Sequence, residues 1–574
     1  MTIAIRETVR TMTGAELIVD VLTQNGFHQV FGVPGRRVLP IYDAIYRAAD
    51  KIRIVASQNE QGAAFMADGY ARARGRSCCL GISGPGLLNM VTGVAASYYD
   101  SVPVLVLGGQ AQTKSIGKYA IQEATGHGRS PDQLEIFRRI TKKATRAQTA
   151  DDIVPVLTAS IEEMFAGRPG PVYIEFPTDI LHQEIAPGAY RSSAKPPVSE
   201  DASARLEKWP FQALVADLSR AKFPVILVGQ GVNASGARDE VKRIAEGLGI
   251  PFVTTTLAKG TLPEDSELSL GSCGIWGQPA AKEYLLGPCD AILAFGTTFQ
   301  ELSSYGWRIR NEQILLRVDI DEGELHRNYS GKHSFLGDAK DFLTAFERCL
   351  SMDREQTQFP EAKALVATLK NDAGFYATIQ HTQEHVRSDL VNPIALVKAI
   401  SRLTPQDVPI ISDVGENGAW SMYLIQREKV GSYVINAGLG TMGHAVAAAV
   451  GVSLALPGNK IVSICGDGGF MMNGNEIATA AKYRSDVLWI VFNNGILGTQ
   501  KHYQRDYLDG RYIASDMPDI DYCRYAESLG VSATRVKTID EFDTEYKRLL
   551  KIKGNHLIEV CVDPNIKPEP CYFY

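Results

Sequence analysis

Gly466-Asp467-Gly468-Gly469 follows the apolar run 461–465, and twenty-four residues separate Gly468 from the pair Asn493-Asn494 at the end of the next apolar run. Glycines at a strand end let the backbone approach a phosphate closely, and amides there donate to its oxygens. A carboxylate, an amide oxygen and a backbone carbonyl are hard ligands. They suit Mg²⁺, which keeps near-octahedral geometry and also takes diphosphate oxygens. If the two runs are adjacent strands, Asp467 and Asn494 converge on one ion. A lone Gly-Asp-Gly reads as a plain strand-to-helix turn; the spacing, the double Asn and the strand context together make the pattern specific.

Three further side chains attract attention. Ser57-Gln58-Asn59-Glu60-Gln61-Gly62-Ala63-Ala64 follows a short strand and opens a helix. Read alone, a glutamate there is a dipole partner or cap. Met442, inside Gly438-Leu439-Gly440-Thr441-Met442-Gly443, reads alone as a core methionine, and Gln110 as a solvated strand-end amide.

The elements that must position these residues are short apolar runs ending in glycine, proline or a polar turn: 104–109, 172–177, 225–231, 291–296, 315–321, 410–415, 461–466, 488–493 and 557–563. They are rich in Val, Ile and Leu without strict alternation, as in strands of parallel sheets buried on both faces. Helical patterns such as 14–25, 239–248 and 475–483 lie between them, which implies stacked α/β units. Two polar segments, 187–201 and 351–384, read as connections. The expected fold is therefore α/β, with three doubly wound parallel-sheet domains at 11–186, 202–350 and 385–563 and a proline-bearing tail at 564–574, either a lid or a frayed end.

Length and composition agree. A chain of 574 residues suggests about three to four domains. Its 45% hydrophobic and 22% charged residues are ordinary for a globular protein, and a net charge of -6 with mixed signs argues against a nucleic-acid partner. Nine scattered cysteines without a C-x-x-C pair fit reduced thiols and a cytoplasmic location. The uncharged stretch 437–456 is long enough for a membrane span, but its glycines, His444 and terminal Pro457 read as a glycine loop feeding a buried helix.

Together the Asp467–Asn494 pattern and the Glu60 segment resemble the thiamine-diphosphate-dependent enzymes. The resemblance implies that Asp467, the Asn494 side chain and the Ile496 carbonyl hold Mg²⁺, with Gly468, Gly469, Leu497 and Gly498 beside the coenzyme's diphosphate. Asp413-Val414-Gly415-Glu416-Asn417 aligns with the family's other diphosphate-side turn, where Glu416 and Asn417 replace the common Gln and His. It further implies that Glu60 is the catalytic carboxyl that bonds the aminopyrimidine ring, that Gly440 accepts from the amino group, and that Met442 props the coenzyme into its bent shape. The coenzyme itself acts as the electron sink when CO2 leaves. The first and third domains become the coenzyme-binding pair, joined across subunits, so a homodimer or homotetramer is expected.

Within that family the chain resembles the acetolactate (acetohydroxyacid) synthase branch along nearly its whole length. Phe31-Gly32-Val33-Pro34-Gly35, Val38-Leu39-Pro40-Ile41-Tyr42-Asp43, Ser83-Gly84-Pro85-Gly86 with Asn89, Asp100-Ser101-Val102-Pro103, Gly109-Gln110 and Gln122-Glu123 carry the likeness. Pro34 and Gly35 are implied coenzyme contacts, and Gln110 is expected to face the reacting carbon as a second catalytic residue. Departures are Arg36 after Gly35, Gln58-Asn59 before Glu60, Ile121 for an aromatic, and Tyr503 for the Trp that helps choose the second 2-oxo acid; altered walls favour a different acceptor. In the middle block, Gly296-Thr297-Thr298-Phe299-Gln300-Glu301-Leu302 lacks both arginines of the FAD-side turn, so FAD is left out of the expected cofactors.

The expected activity is decarboxylation of pyruvate or a similar 2-oxo acid and transfer of the acyl unit to a second carbonyl compound. Alternatives are a non-ligating decarboxylase, a thiamine-diphosphate-dependent lyase or hydrolase on another carbon–carbon bond, an FAD-linked oxidase, and a catalytically silent coenzyme-binding homologue.

Overall fold

The structure, a computed structural model, describes residues 11–185, 206–350, 358–370 and 389–568. Each of the nine apolar runs contains a strand, and all nine strands lie in parallel sheets. The chain divides into two compact units, Met1–Pro197 with Ala447–Pro457 and Asn473–Ser485, and Val198–Val446 with Gly458–Met472 and Asp486–Tyr574.

In the first unit, six parallel strands run in the order Arg53–Ala56, Gln29–Gly32, Ser77–Gly81, Val104–Gln110, Val172–Pro177, Lys143–Arg146. Val104–Gln110 is buried at every position because helices cover both faces of the sheet, which is why its sequence does not alternate. The helix Glu60–Arg74 begins at Asn59, whose side chain accepts from the Gln61 amide, and stops at Gly75 in the left-handed conformation. Against it lies the 447–455 part of the helix His444–Ala455. Gly69 abuts the backbone of Ala448 and Gly451 that of Met66, so closely that neither glycine has room for a side chain. Ala447–Val450 are fully buried. The uncharged stretch is thus a glycine turn leading into a core helix, and among the described residues no helix is long and apolar enough to cross a membrane.

The second unit holds two six-stranded parallel sheets. One runs Ser269–Ser272, Phe252–Thr254, Pro224–Val228, Ala291–Phe295, Ile314–Asp319, His333–Leu336; the other runs Tyr433–Ile435, Ile410–Ser412, Ile461–Gly466, Val487–Asn493, His556–Cys561, Ser532–Val536. The segment read as a connection at 351–384 contains a helix, Pro360–Lys370, whose Ala362 and Val366 join the core of the first of these sheets. Only two of its positions are deeply buried, too few to show through its charges. The rest of that segment, and the connection 187–201, lie outside the described residues. The tail begins docked: Ile566 is in the core and Pro564 accepts a side-chain hydrogen bond; residues 569–574 lie outside the described set.

Candidate active site

The second unit gathers four turns at the carboxyl ends of adjacent parallel strands, the usual ligand position in open α/β sheets. Ile461–Gly466 pairs directly with Val487–Asn493, and Ile410–Ser412 flanks the former. Asp467 therefore follows one strand and Asn494 the next. The Asp467 carboxylate accepts from the Gly495 amide at 2.7 Å and from its own neighbour Gly468 at 2.7 Å. Asn494 Oδ1 accepts from the Ile496 amide at 3.1 Å, which tightens the turn. The first helix starts at Asp467 itself, earlier than the spacing predicts, and a second follows at Glu476–Tyr483.

The other two turns are tied to these. Asp413 is 1% exposed; its Oδ2 accepts from the Gly443 amide at 2.7 Å, and its backbone carbonyl accepts from Asn417 Nδ2 at 3.0 Å. A side chain on Gly469 would collide with the Asp413 carboxylate, and one on Gly468 would meet Leu497 and Met442. Gly440 has a φ of 73° with open space around its Cα. Glu416 opens the helix Glu416–Leu424 beside Val414, and its carboxylate lies against Gly498. Asp413, Glu416, Asn417, Met442 and the segments 467–469 and 495–498 are thus tied to one another.

The electrostatics suit a bound cation. Burial pushes the Asp467 carboxyl up to about 6, and the influences that pull it back are the amides of Gly495, Gly468 and Asn494. A carboxylate stripped of water with only amides around it is stabilised by a hard divalent ion. Asp413 is likewise pushed up to about 6 by burial, against the Gly443 amide.

The first unit assembles its own group. Glu60 is the first residue of its helix, and its carboxylate accepts from Asn89 Nδ2 at 3.0 Å. A Cβ on Gly86 would stand 3.0 Å from Glu60 Oε1 and would crowd Ile82, the side chain that also leaves no room on Gly35. Pro34 and Arg36 are exposed. Gln110 corrects an expectation. It is fully buried; its amide donates to the Ala124 carbonyl at 3.1 Å and its oxygen accepts from the Ala111 amide at 2.8 Å. With both ends engaged in the loop it is not a solvated strand-end amide. It holds the loop.

Glu476 is a residue the sequence reading passed over. Its carboxylate accepts from the Gln58 amide at 3.1 Å, the Asn59 amide at 2.9 Å and the Thr479 hydroxyl at 2.7 Å, and it is fully buried. It thereby fixes the two residues that lead into Glu60. Nothing near Glu60 in sequence signals this, because the partners are more than 400 residues apart. Glu476→Gln keeps the shape but turns an amide group toward a backbone donor. Leaving a buried donor unpaired costs about 1–3 kcal/mol. Thermal unfolding should register that loss, and kcat should fall about tenfold as Glu60 loses its seat.

Comparison with known proteins follows the same division. The model for the thiamine pyrophosphate enzyme N-terminal TPP binding domain matches residues 12–136, the central domain 211–346, and the C-terminal TPP binding domain 413–560. The probable acetolactate synthase large subunit of Methanocaldococcus jannaschii is 34% identical over 96% of this chain and 92% of its own. The acetolactate synthase large subunit of Lactococcus lactis is 33% identical over 95% and 94%, and the isozyme 3 large subunit of Escherichia coli 31% over 96% and 94%. Turns, sheets and relatives agree, and the chain belongs to the thiamine-diphosphate-dependent, acetolactate synthase-like family of enzymes.

Proposed function

We propose that the protein is a carboligase that decarboxylates pyruvate or a close 2-oxo acid and joins the acyl unit to a second carbonyl compound; its relatives are named acetolactate synthases. The observation that carries this reading is the convergence of the turns 413–417, 440–443, 467–469 and 494–498 around a buried carboxylate with amide partners. Asp467, Asn494 and the Ile496 carbonyl would hold Mg²⁺; Gly468, Gly469, Leu497 and Gly498 on one side and Val414, Glu416 and Asn417 on the other would hold the diphosphate. Bound thiamine diphosphate supplies a carbon nucleophile and an electron sink for decarboxylation. The protein's own part is positional and protonic. Glu60, oriented by Asn89 and seated by Glu476, holds and exchanges the proton that activates the coenzyme. Met442, which lies beside Gly468, would pack against the coenzyme, and Gly440 would offer its carbonyl to it.

The domains are taken as 11–186, 202–350 and 385–563, the working form as a homodimer or homotetramer, and the location as cytoplasmic. The middle domain is assigned no flavin. The Arg317 guanidinium, buried beneath the carboxyl end of its sheet, donates to the carbonyls of Tyr329, Thr297 and Glu324 and lies 5.0 Å from the Phe299 ring centre. The neighbouring glycine turns also close on each other, with the Gly231 amide on the Gly296 carbonyl at 3.0 Å.

The test is NMR analysis of products from purified protein, pyruvate, thiamine diphosphate and Mg²⁺ without flavin. Acetolactate or acetoin is expected. Acetaldehyde alone would replace the carboligase reading with a simple decarboxylase.

A further inference from the structure

We propose that Glu416 and His502 share one proton and so present an uncharged pair beside the bound diphosphate, with His502 as a positioning residue that acts through Glu416. The inference rests on the reading that the turns 413–417 and 494–498 hold that group.

The proton count follows from geometry. His502 Nε2 lies 2.8 Å from the Pro564 carbonyl oxygen, which only accepts, so Nε2 carries a hydrogen. Its Nδ1 lies 2.5 Å from Glu416 Oε1. A bare ring nitrogen and a bare carboxylate oxygen both accept, and would repel at that distance. One proton must stand between them, as imidazolium with carboxylate or as imidazole with carboxylic acid; either way the pair is neutral. Water does not take the proton's place, since the two side chains are only 3% and 10% exposed. The other cations on the helix Gly498–Tyr507 are committed elsewhere: Lys501 to Asp516 and Arg505 to Asp506.

Location gives this neutrality a purpose. The second Glu416 oxygen lies against Gly498, at the start of that helix and in the turn assigned to the diphosphate. A naked carboxylate there would oppose the coenzyme's own negative charge. With its proton shared, Glu416 can occupy the spot, and the pair links the turn to the docked segment at Pro564.

Thiamine diphosphate titrations at saturating Mg²⁺ on four proteins test the idea: wild type, Glu416→Gln, His502→Gln and the double variant. His502→Gln should raise the Kd about ten- to hundredfold, the size of coupling expected for contacting buried groups. Adding Glu416→Gln should recover about tenfold of that loss relative to His502→Gln alone, because the stranded charge is gone. A Kd for His502→Gln equal to wild type overturns the proposal. So does a loss that persists undiminished in the double variant, which would mark His502 as no more than a peg for Pro564. Wild type that fails to bind thiamine diphosphate refutes the diphosphate reading itself. Proton NMR of the coenzyme-free protein supplies a check that needs no stable variant: a strongly downfield, ¹⁵N-histidine-coupled resonance is expected, and its absence overturns the shared proton.

Discussion

Glu60→Gln is expected to lower kcat by about a hundred- to ten-thousandfold, the usual worth of a positioned proton-transfer group. Coenzyme affinity should stay within about threefold of wild type, because the change is isosteric and alters one hydrogen-bonding contact. The fold has little reason to object. Asn59 caps the helix with its own side chain, Glu476 holds the approach through backbone amides, and the oxygen of the substituted amide can still accept from Asn89. What disappears is a carboxyl able to give and take a proton. Steady-state consumption of pyruvate and a thiamine diphosphate titration on the same preparation separate the two effects. Unchanged turnover would remove Glu60 from the mechanism, and a parallel loss of binding would make it a coenzyme anchor.

How much of this was legible in the sequence depends on whether the determinants are local. Strand cores declare themselves, since Val104–Gln110 and Val487–Asn493 are buried along almost their whole length and are apolar up to their polar last residues. The strands that escaped notice include the sheet edges Lys143–Arg146, His333–Leu336 and Ser532–Val536. Every residue of Lys143–Arg146 is only half-buried, so nothing forbids Lys, Thr and Arg there. The helix Pro360–Lys370 was hidden for a similar reason: its buried positions are few and its charges many.

The candidate site shows the same contrast. Asp467 and Asn494 are readable because strand, turn and spacing are all written within one stretch of chain, and the sheet pairs those strands as neighbours. Glu476 and His502 are not. Each is defined by a partner far away in sequence, the amides of Gln58 and Asn59 for one and Glu416 with Pro564 for the other. Substitution patterns also mislead when read singly. Glu416 looks like an unwelcome charge at a diphosphate turn until His502 is placed against it. Gln110 reads alone as a solvated strand-end amide, yet it is fully buried and bonded to Ala124 and Ala111.

Asp467→Ala should abolish the Mg²⁺-dependent tightening of coenzyme binding, weakening it by about a hundredfold or more, since loss of even a supporting contact at a metal site costs about ten- to a hundredfold. The metal-free fold should barely notice. Two opposing terms decide this. Asp467 is 2% exposed, and its carboxyl moves from 3.8 to about 6, a penalty of about 3 kcal/mol that the alanine removes. Against that, the amides of Gly495 and Gly468 lose their acceptor, at about 1–3 kcal/mol each if they find no other. The two terms oppose each other and are of the same order, so the unliganded variant should melt near wild type. The difference appears on adding ligand. A protein binding coenzyme at a hundred times its Kd gains about 2.7 kcal/mol of stability. Wild type should therefore show a rise in Tm with thiamine diphosphate and Mg²⁺ together, while Asp467→Ala shows almost none. An equal rise in both proteins would place the metal elsewhere. A variant that melts far below wild type without ligand would instead mean that Asp467 is first of all the clasp between Gly468 and Gly495.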